Sequence, residues 1–167
     1  RVRPCTIFLY IGEKKKIMPY QVYWIIPCRV LYIAETGDLT IEDIRGSTRI
    51  VADHLEEAYH TRSGKVIIGL VDMREARFGI LLRSLFSVVM KRIMDSIDPR
   101  IWKAKPGFVV LITTSESAAM LLSLIMRILA QPMTTVATLD EALTVIKNMY
   151  PELSNPLDAA TQSKNMM

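Results

Sequence analysis

The stretch that most constrains this chain is Lys65–Asp72, Lys-Val-Ile-Ile-Gly-Leu-Val-Asp, with Ser63-Gly64 before it and an acid at its end. A strand that keeps one face in water alternates apolar and polar residues. A short, unbroken, β-branched run instead reads as a strand covered on both faces, the situation of a central strand in a parallel sheet with helices above and below. A second run of this kind, Phe108–Thr113, follows, and long helical patterns flank both. The predicted class is therefore α/β.

At 167 residues the chain has the length of one domain with a proper core. Half of its residues are apolar and 23% are charged, the balance of a folded chain. The formal charge of +4 resides in residues 1–17, which hold Arg1, Arg3, Lys14, Lys15 and Lys16 against Glu13, while the remainder balances 16 basic against 16 acidic residues. A neutral body lacks the broad basic face that nucleic-acid binding relies on, so no nucleic-acid partner is expected. Two cysteines, Cys5 and Cys28, make no disulfide framework and suit a reducing, cytoplasmic setting. The longest apolar run, Ala118–Ala130, is 13 residues with Arg127 inside it, short of the ~18 that a spanning helix needs. The apolar piece Thr6–Ile11 is too short for a secretory signal, and its lysines follow it.

Residues 1–17 differ from the rest. Gly12-Glu13-Lys14-Lys15-Lys16 is encoded by an almost wholly purine stretch, as a translated ribosome-binding site would be, and Met18-Pro19-Tyr20 has the form of a natural start. The expectation is that 1–17 is a non-native or disordered leader, the alternative being an ordinary basic tail. Tyr20–Ile26 and Arg29–Thr36 read as a hairpin turned at Pro27-Cys28. Thr40 and Asp43 form a capping box for an amphipathic helix to about Tyr59. After the central strand and a polar link, Arg74–Arg77, a second helix is predicted over about 78–97, stopped by Asp98-Pro99, with a loop over Arg100–Pro106. The strand Phe108–Thr113 leads to a third helix capped by Ser115 or Ser117 and running to about Ala130. Met133–Ala137 is the last predicted strand, and Thr138-x-x-Glu141 caps the last predicted helix. Residues 151–167 are polar, carry Pro156, and are expected to form a flexible tail. Right-handed crossovers make the later strands parallel to the second one. The result is a single-domain, mixed, mostly parallel sheet over 18–150 with an N-terminal β-hairpin.

Particular phrases then carry a resemblance. The opening hairpin followed by Thr36-Gly37-Asp38-Leu39-Thr40, the strand Val66–Met73, and the closing Ala137-Thr-Leu-Asp-Glu-Ala-Leu143 resemble the STAS, or SpoIIAA-like, family, and within it the uncharacterised stand-alone bacterial members. The resemblance spans about Pro19–Tyr150. It implies a regulatory, non-catalytic module acting through protein contacts. Family members that act as phosphorylation switches place Asp-Ser-Ser/Thr-Gly some nine or ten residues beyond the strand's Asp. Counting from Asp72 reaches Ile80-Leu81-Leu82, and Ser84 falls a turn too late, so no such switch is expected.

The candidate chemistry is sparse. The carboxyl ends of parallel strands usually hold α/β ligands, and that edge would collect Asp72, Arg74, Arg77, Thr113, Thr114 and Ser115 as a site for a small anion or nucleotide. The alternative is a solvated loop with ordinary capping, Asp72 binding the amides that follow it. Asp72 as a receiver-type phosphoacceptor would need paired acids after the first strand, where Pro27-Cys28 stands instead. His54 and His60 lie six apart on one helix, on different sides, and read as surface residues. Arg100, Trp102, Lys103 and Lys105 read as a snorkelling loop in preference to a nucleotide or headgroup contact. No metal spacing, cofactor motif or nucleophile–base pair appears, so no cofactor and no enzyme activity is expected.

The strongest anomaly is apolar surplus on the second and third helices. Each has a thin polar stripe and far more Leu, Ile, Val and Met than one sheet-facing stripe requires. Each such side chain left wet forgoes about 1.5–3 kcal/mol, so a cover is expected. The predicted interaction surface is Leu82, Leu85, Phe86, Val89, Met90, Met94, Leu122, Met126 and Leu129, closed by mutual packing and by a protein partner or a second copy as a homodimer. The second hypothesis is a lipid or small-ligand binder of SEC14 type, in which the same helices part around an apolar guest.

Overall fold

The computed structural model describes residues 18–61, 66–77, 86–104 and 106–164. The expected leader, the segment Ile80–Ser84 in which no phospho-switch was expected, and Leu82, Leu85 and Lys105 of the predicted surfaces lie outside them. Five strands, β1 (Tyr20–Ile26), β2 (Val30–Asp38), β3 (Ile68–Arg77), β4 (Phe108–Ile112) and β5 (Met133–Val136), form one sheet in the order β1-β2-β3-β4-β5. β1 and β2 are antiparallel, and β2 through β5 are parallel. The helices are α1 (Ile41–Thr61), α2 (Phe86–Ser96), α3 (Pro99–Lys103), α4 (Glu116–Ile128), α5 (Leu139–Met149) and α6 (Ser154–Lys164), with a 3-10 turn, Pro151–Leu153, before the last. The mixed, mostly parallel α/β sheet with an opening hairpin is the architecture expected from the sequence.

The hairpin turns at Pro27-Cys28. The Arg29 amide donates to the Ile26 carbonyl at 3.0 Å, and Cys28 holds φ of 56°, so Pro27 occupies the first central position and Cys28 the left-handed second one of a type II turn. The capping signals are made as read. Thr40 and Asp43 bond reciprocally, the Thr40 amide to Oδ2 at 2.9 Å and the Asp43 amide to Oγ1 at 3.2 Å. Ser115 caps α4, accepting from the Ala118 amide, and Thr138 caps α5, accepting from Glu141.

Consecutive strands are adjacent and step across the sheet in one direction, so right-handed crossovers put α1, α2–α3 and α4 on one face. That face buries Leu55, Ile93, Ile97, Leu111, Leu121 and Ile125. After β5 the chain passes to the opposite face, where α5 and the C-terminal residues cover Val30, Ile68, Leu70, Val110 and Ile112. The even positions of β3 and β4 thus pack under one layer and the odd ones under the other, which is why both runs lack polar alternation.

Four expectations are corrected. First, the C-terminal segment is helical through residue 164 and is part of the core: Leu153 and Leu157 are buried, Arg29 Nη2 pairs with Glu152 at 2.8 Å, and Lys147 pairs with Asp158. Pro156 lies in the first turn of α6, where no amide is owed to the helix. Second, β3 does not end at Asp72. Past a bulge it pairs Glu75, Ala76 and Arg77 with Thr36, Gly37 and Asp38, so the supposed polar link is strand. Third, Pro99 starts a helix as well as ending one. Asp98 accepts from the Arg100 amide as N-cap, and the Arg100 guanidinium reaches Asp53 at 2.7 Å and Glu56 at 3.0 Å on α1. Fourth, His54 is half-buried, edge-on to Trp24 at 5.7 Å, and burial pushes its imidazole below the usual pKa; His60 is exposed, as expected.

If α6 is part of the folding unit, Leu157→Ala leaves a hole on the second face and lowers stability by about 2–4 kcal/mol. Urea denaturation of the full chain checks this, and an unchanged midpoint would show that the segment does not contribute.

Candidate functional site

The predicted anion site is split by the structure into three unconnected parts. Asp72 and Arg74 join on the α5–α6 face of β3. Arg74 Nε and Nη2 donate to the two carboxylate oxygens at 2.9 and 2.7 Å, and its amide donates to Oδ1 at 3.2 Å, the local capping anticipated for Asp72. Arg77 pairs with Asp38 at 3.5 Å on the exposed end of the strand. Thr113 is buried and its hydroxyl accepts from the Ser115 amide, Ser115 is occupied as the α4 cap, and Thr114 is exposed.

Asp72 has a further partner that the sequence did not flag. The Tyr32 hydroxyl donates to Oδ2 at 2.8 Å, and the Tyr32 ring leans on Tyr23 with centroids 5.0 Å apart. Parallel pairing of β2 and β3 brings Tyr32 and Asp72 to the same face. These groups line a polar cleft with Gln21, Ala34, Glu35, Thr36 and Glu75. Burial alone would raise the Asp72 carboxyl, but the bonds from Arg74 and Tyr32 outweigh it and hold it below its usual value. Burial first, then the bond to Asp72, pushes the Tyr32 phenol well above its ordinary pKa. The guanidinium is fully engaged along the edge that faces Asp72, so this cluster reads as a closed clamp between β2 and β3.

An apolar feature lies on the other face. A half-open cleft of about 140 Å³ runs between the sheet and the helices. Its floor is Ile33, Gly69, Val71 and Val109, and its roof comes from Val51 of α1, Ile93 and Ile97 of α2 and beyond, and Leu121, Leu122, Ile125 and Met126 of α4. Four polar side chains border it: Glu35, Ser47, Thr48 and Gln131. Thr48 is committed to the Ile44 carbonyl at 2.8 Å. Ser47, buried, donates to Glu35 Oε1 at 2.9 Å. Glu35 stands near the carboxyl end of β2, and Gln131 just before β5, so the acid and the amide mark opposite ends of the strands. The Gln131 Oε1 atom is buried without a hydrogen-bond partner. Desolvation pushes the Glu35 carboxyl above its usual pKa, the Ser47 bond only partly opposing it, and Asp43 adds to the rise.

The cleft also resolves where the surplus apolar residues go. Met90 and Leu129 are buried in the core, which corrects their assignment to a surface; Leu122 and Met126 line the cleft; Met94 packs half-buried against the core. Phe86 and Val89 lie on the α2 helix, and their side chains are outside the description. The apolar residues left in water are others: Val88 on α2, and Met120 and Ile128 on α4. Glu35 was missed, although a signal was present. Leu31, Ile33 and Glu35 alternate on one face of β2, and Ser47 sits between Ile44 and Val51 on the inner stripe of α1, so an acid and a hydroxyl both occupy core positions.

Among the described residues no group of three or more His, Cys, Asp or Glu is placed to hold a metal ion, and no helix is long and apolar enough to cross a membrane. Cys28 is a free, buried thiol.

The Asp72 clamp makes a pH-dependent prediction. Because its folded pKa is depressed, Asp72 contributes stability that is complete above its unfolded value of about 3.9 and is lost as pH falls through the folded value. Asp72→Asn is expected to cost about 1–3 kcal/mol at neutral pH and much less in acid, read by urea denaturation at the two pH values. An equal cost at both would assign the residue's role to shape and not to charge.

No protein-family model, curated protein or solved structure matches the chain.

Proposed function

We propose that the chain is a STAS-like module that works by binding and not by catalysis, and that its working site is the apolar cleft beneath α1, α2 and α4. The phrases around Thr36–Thr40, Val66–Met73 and Ala137–Leu143, and the hairpin that opens the sheet, support the STAS-like part of this reading. The observation that carries the binding part is the cleft itself, floored by a glycine where a Cβ fits. A Cβ added at Gly69 would stand 3.6 Å from Val109 Cγ2 and 3.9 Å from Pro106 Cγ, ordinary contact distances, so neither sterics nor backbone conformation requires glycine there.

Size selects among guests. An apolar cavity of about 150 Å³ holds a molecule like benzene, whereas drug-sized ligands occupy about 300–1,000 Å³. At about 140 Å³ the cleft suits a small apolar compound. A lipid chain of the SEC14 kind would require the helices to part.

Titrating benzene into the isotopically labelled chain tests this by amide NMR. Saturable shifts are expected around Val71, Ile93, Leu121 and Ile125, and Gly69→Ala, which adds a Cβ to the floor at ordinary contact distance, should weaken binding while the chain stays folded. Absence of saturable shifts in the wild type overturns the reading.

A second reading rests on a separate observation. Met120 (59% exposed), half-buried Leu124 and Ile128 (49% exposed) are spaced four apart along the outside of α4, a contiguous apolar row suited to a protein partner or a second copy. If that row mediates self-association, Met120→Glu with Ile128→Glu yields a monomer by light scattering at concentrations where the wild type is dimeric. A wild type monomeric at every concentration removes the homodimer.

A further inference from the structure

The two edges of the sheet are not alike. β5 is four residues long and is preceded by Pro132, a short edge that offers little to pair with. β1 is the outer strand at the other end, and among the described residues no strand pairs with its outer side. Over Tyr20–Ile26 it reads Tyr-Gln-Val-Tyr-Trp-Ile-Ile, with no charge and no proline inside it. Its irregularity comes after Trp24, next to the turn, and leaves Tyr20–Trp24 regular. Lysines, prolines and bulges are the devices that keep an exposed edge from pairing, and Tyr20–Trp24 has none of them.

Register fixes which backbone groups that edge presents. The Thr36 amide donates to the Pro19 carbonyl at 2.7 Å, one step outside the facing pair Tyr20 and Glu35. Pro19 is therefore bonded to β2, and bonded positions alternate along an antiparallel strand, so Gln21 and Tyr23 are bonded as well. The amides and carbonyls of Tyr20, Val22 and Trp24 point away from the sheet. One of these groups is touched from within the protomer. His54 is hydrogen-bonded to the Val22 backbone, and because the bond favours the charged imidazole it ends on the carbonyl, which keeps a second lone pair. Side chains anchor the same stretch from one face. Tyr20 lies against Gly46 of α1, where an added Cβ would collide with its hydroxyl, and Trp24 is edge-on to His54. Val22, between them, shares that face.

We propose that this edge is an interface and that its partner is β1 of a second copy, the two strands running antiparallel about a two-fold axis at Val22. In that register Val22 of each copy faces its counterpart, and Tyr20 of each faces Trp24 of the other. Each facing pair then exchanges two backbone bonds. The strand carries no charge, so reading it against itself opposes no like charges, and Tyr20 with Trp24 makes a cross-strand aromatic pair. Pro19 and Pro27 bracket the strand in both copies and limit slippage. A two-fold contact uses up both outer edges, so pairing closes at the dimer. This interface is independent of the cleft and of the outer row of α4.

Sedimentation velocity and amide hydrogen exchange on the full chain test it together. The wild type should pass from monomer to dimer with concentration. The Tyr20, Val22 and Trp24 amides should gain protection over the same range, while those of Gln21 and Tyr23, bonded to β2, stay protected throughout. Val22→Pro removes the two central bonds without touching the ladder to β2, and should weaken the dimer by about tenfold or more. Val22→Lys keeps the backbone donor and sets two like charges face to face, and should weaken it as well. Retained protection at Gln21 and Tyr23 verifies the fold of each variant. Met120→Glu with Ile128→Glu should leave this dimer intact. A wild type monomeric at every concentration overturns the interface. So does protection of the three outward amides that is independent of concentration, which would assign the edge to another part of the chain. A dimer that survives both Val22 variants, or that is lost only in the α4 variant, overturns it too.

Discussion

The handedness of the strand connections is the constraint on which the rest of the structure depends. Each parallel strand from β2 to β5 is laid beside its predecessor, always on the same side. A right-handed crossover between such neighbours returns over one face of the sheet, so α1, α2–α3 and α4 all arrive on that face. Three helical connections then lie over only four parallel strands. They need apolar surface on more than one side, because each meets the sheet below and its neighbours beside it. The wide apolar stripes of α2 and α4 follow from that crowding, and among the described residues Met90, Ile93, Leu121 and Leu129 are spent inside the protomer.

The same constraint leaves the opposite face bare until the chain has finished the sheet. Only residues after β5 are free to cross beneath it, and α5 with α6 does so, burying Ile146, Leu153 and Leu157 against Val30, Ile68 and Val110. The last residues are therefore structural. They also reach β1 and the turn after it, where Glu152 meets the buried Arg29. Burying that guanidinium without its partner would leave a charge in the interior, so the pair ties the chain's end to its opening hairpin.

How much of this was legible depended on how local the signal was. The two central strands, the hairpin and the caps of α1, α4 and α5 were readable because each is decided within a few residues, by β-branched runs, by Pro27, and by Thr40, Ser115 and Thr138. What the sequence concealed is non-local. The helix α6 shows two leucines four apart in a polar stretch with a proline, a pattern indistinguishable from a tail until the bare face of the sheet is known. The outer part of β3 reads as a link because it has a strand on one side only and alternates Met73 and Ala76 with charged residues around a bulge. The proposed anion site failed to assemble for a related reason. Strand ends that are neighbours in register still send side chains to opposite faces, so Asp72 meets Tyr32 while Thr113 and Ser115 serve α4.

Crowding three helices on one face explains why a core forms there but not why it is left incomplete. A void costs roughly 24 cal/mol per Å³ in a core that cannot collapse, which for about 140 Å³ is on the order of 3 kcal/mol, an upper figure because the cleft is half-open. Set against a net stability of about 5–15 kcal/mol for a typical domain, that is a substantial share. The remedy is close at hand in sequence space, since Gly69 has room for a Cβ and Glu35 stands in alternation with Leu31 and Ile33 on one face of β2. A fold that only had to be stable would narrow the floor with one substitution and remove the acid with another. Stability argues against both features independently, and they border the same hollow. On the proposed reading of the cleft as a binding site, a guest would supply the missing atoms.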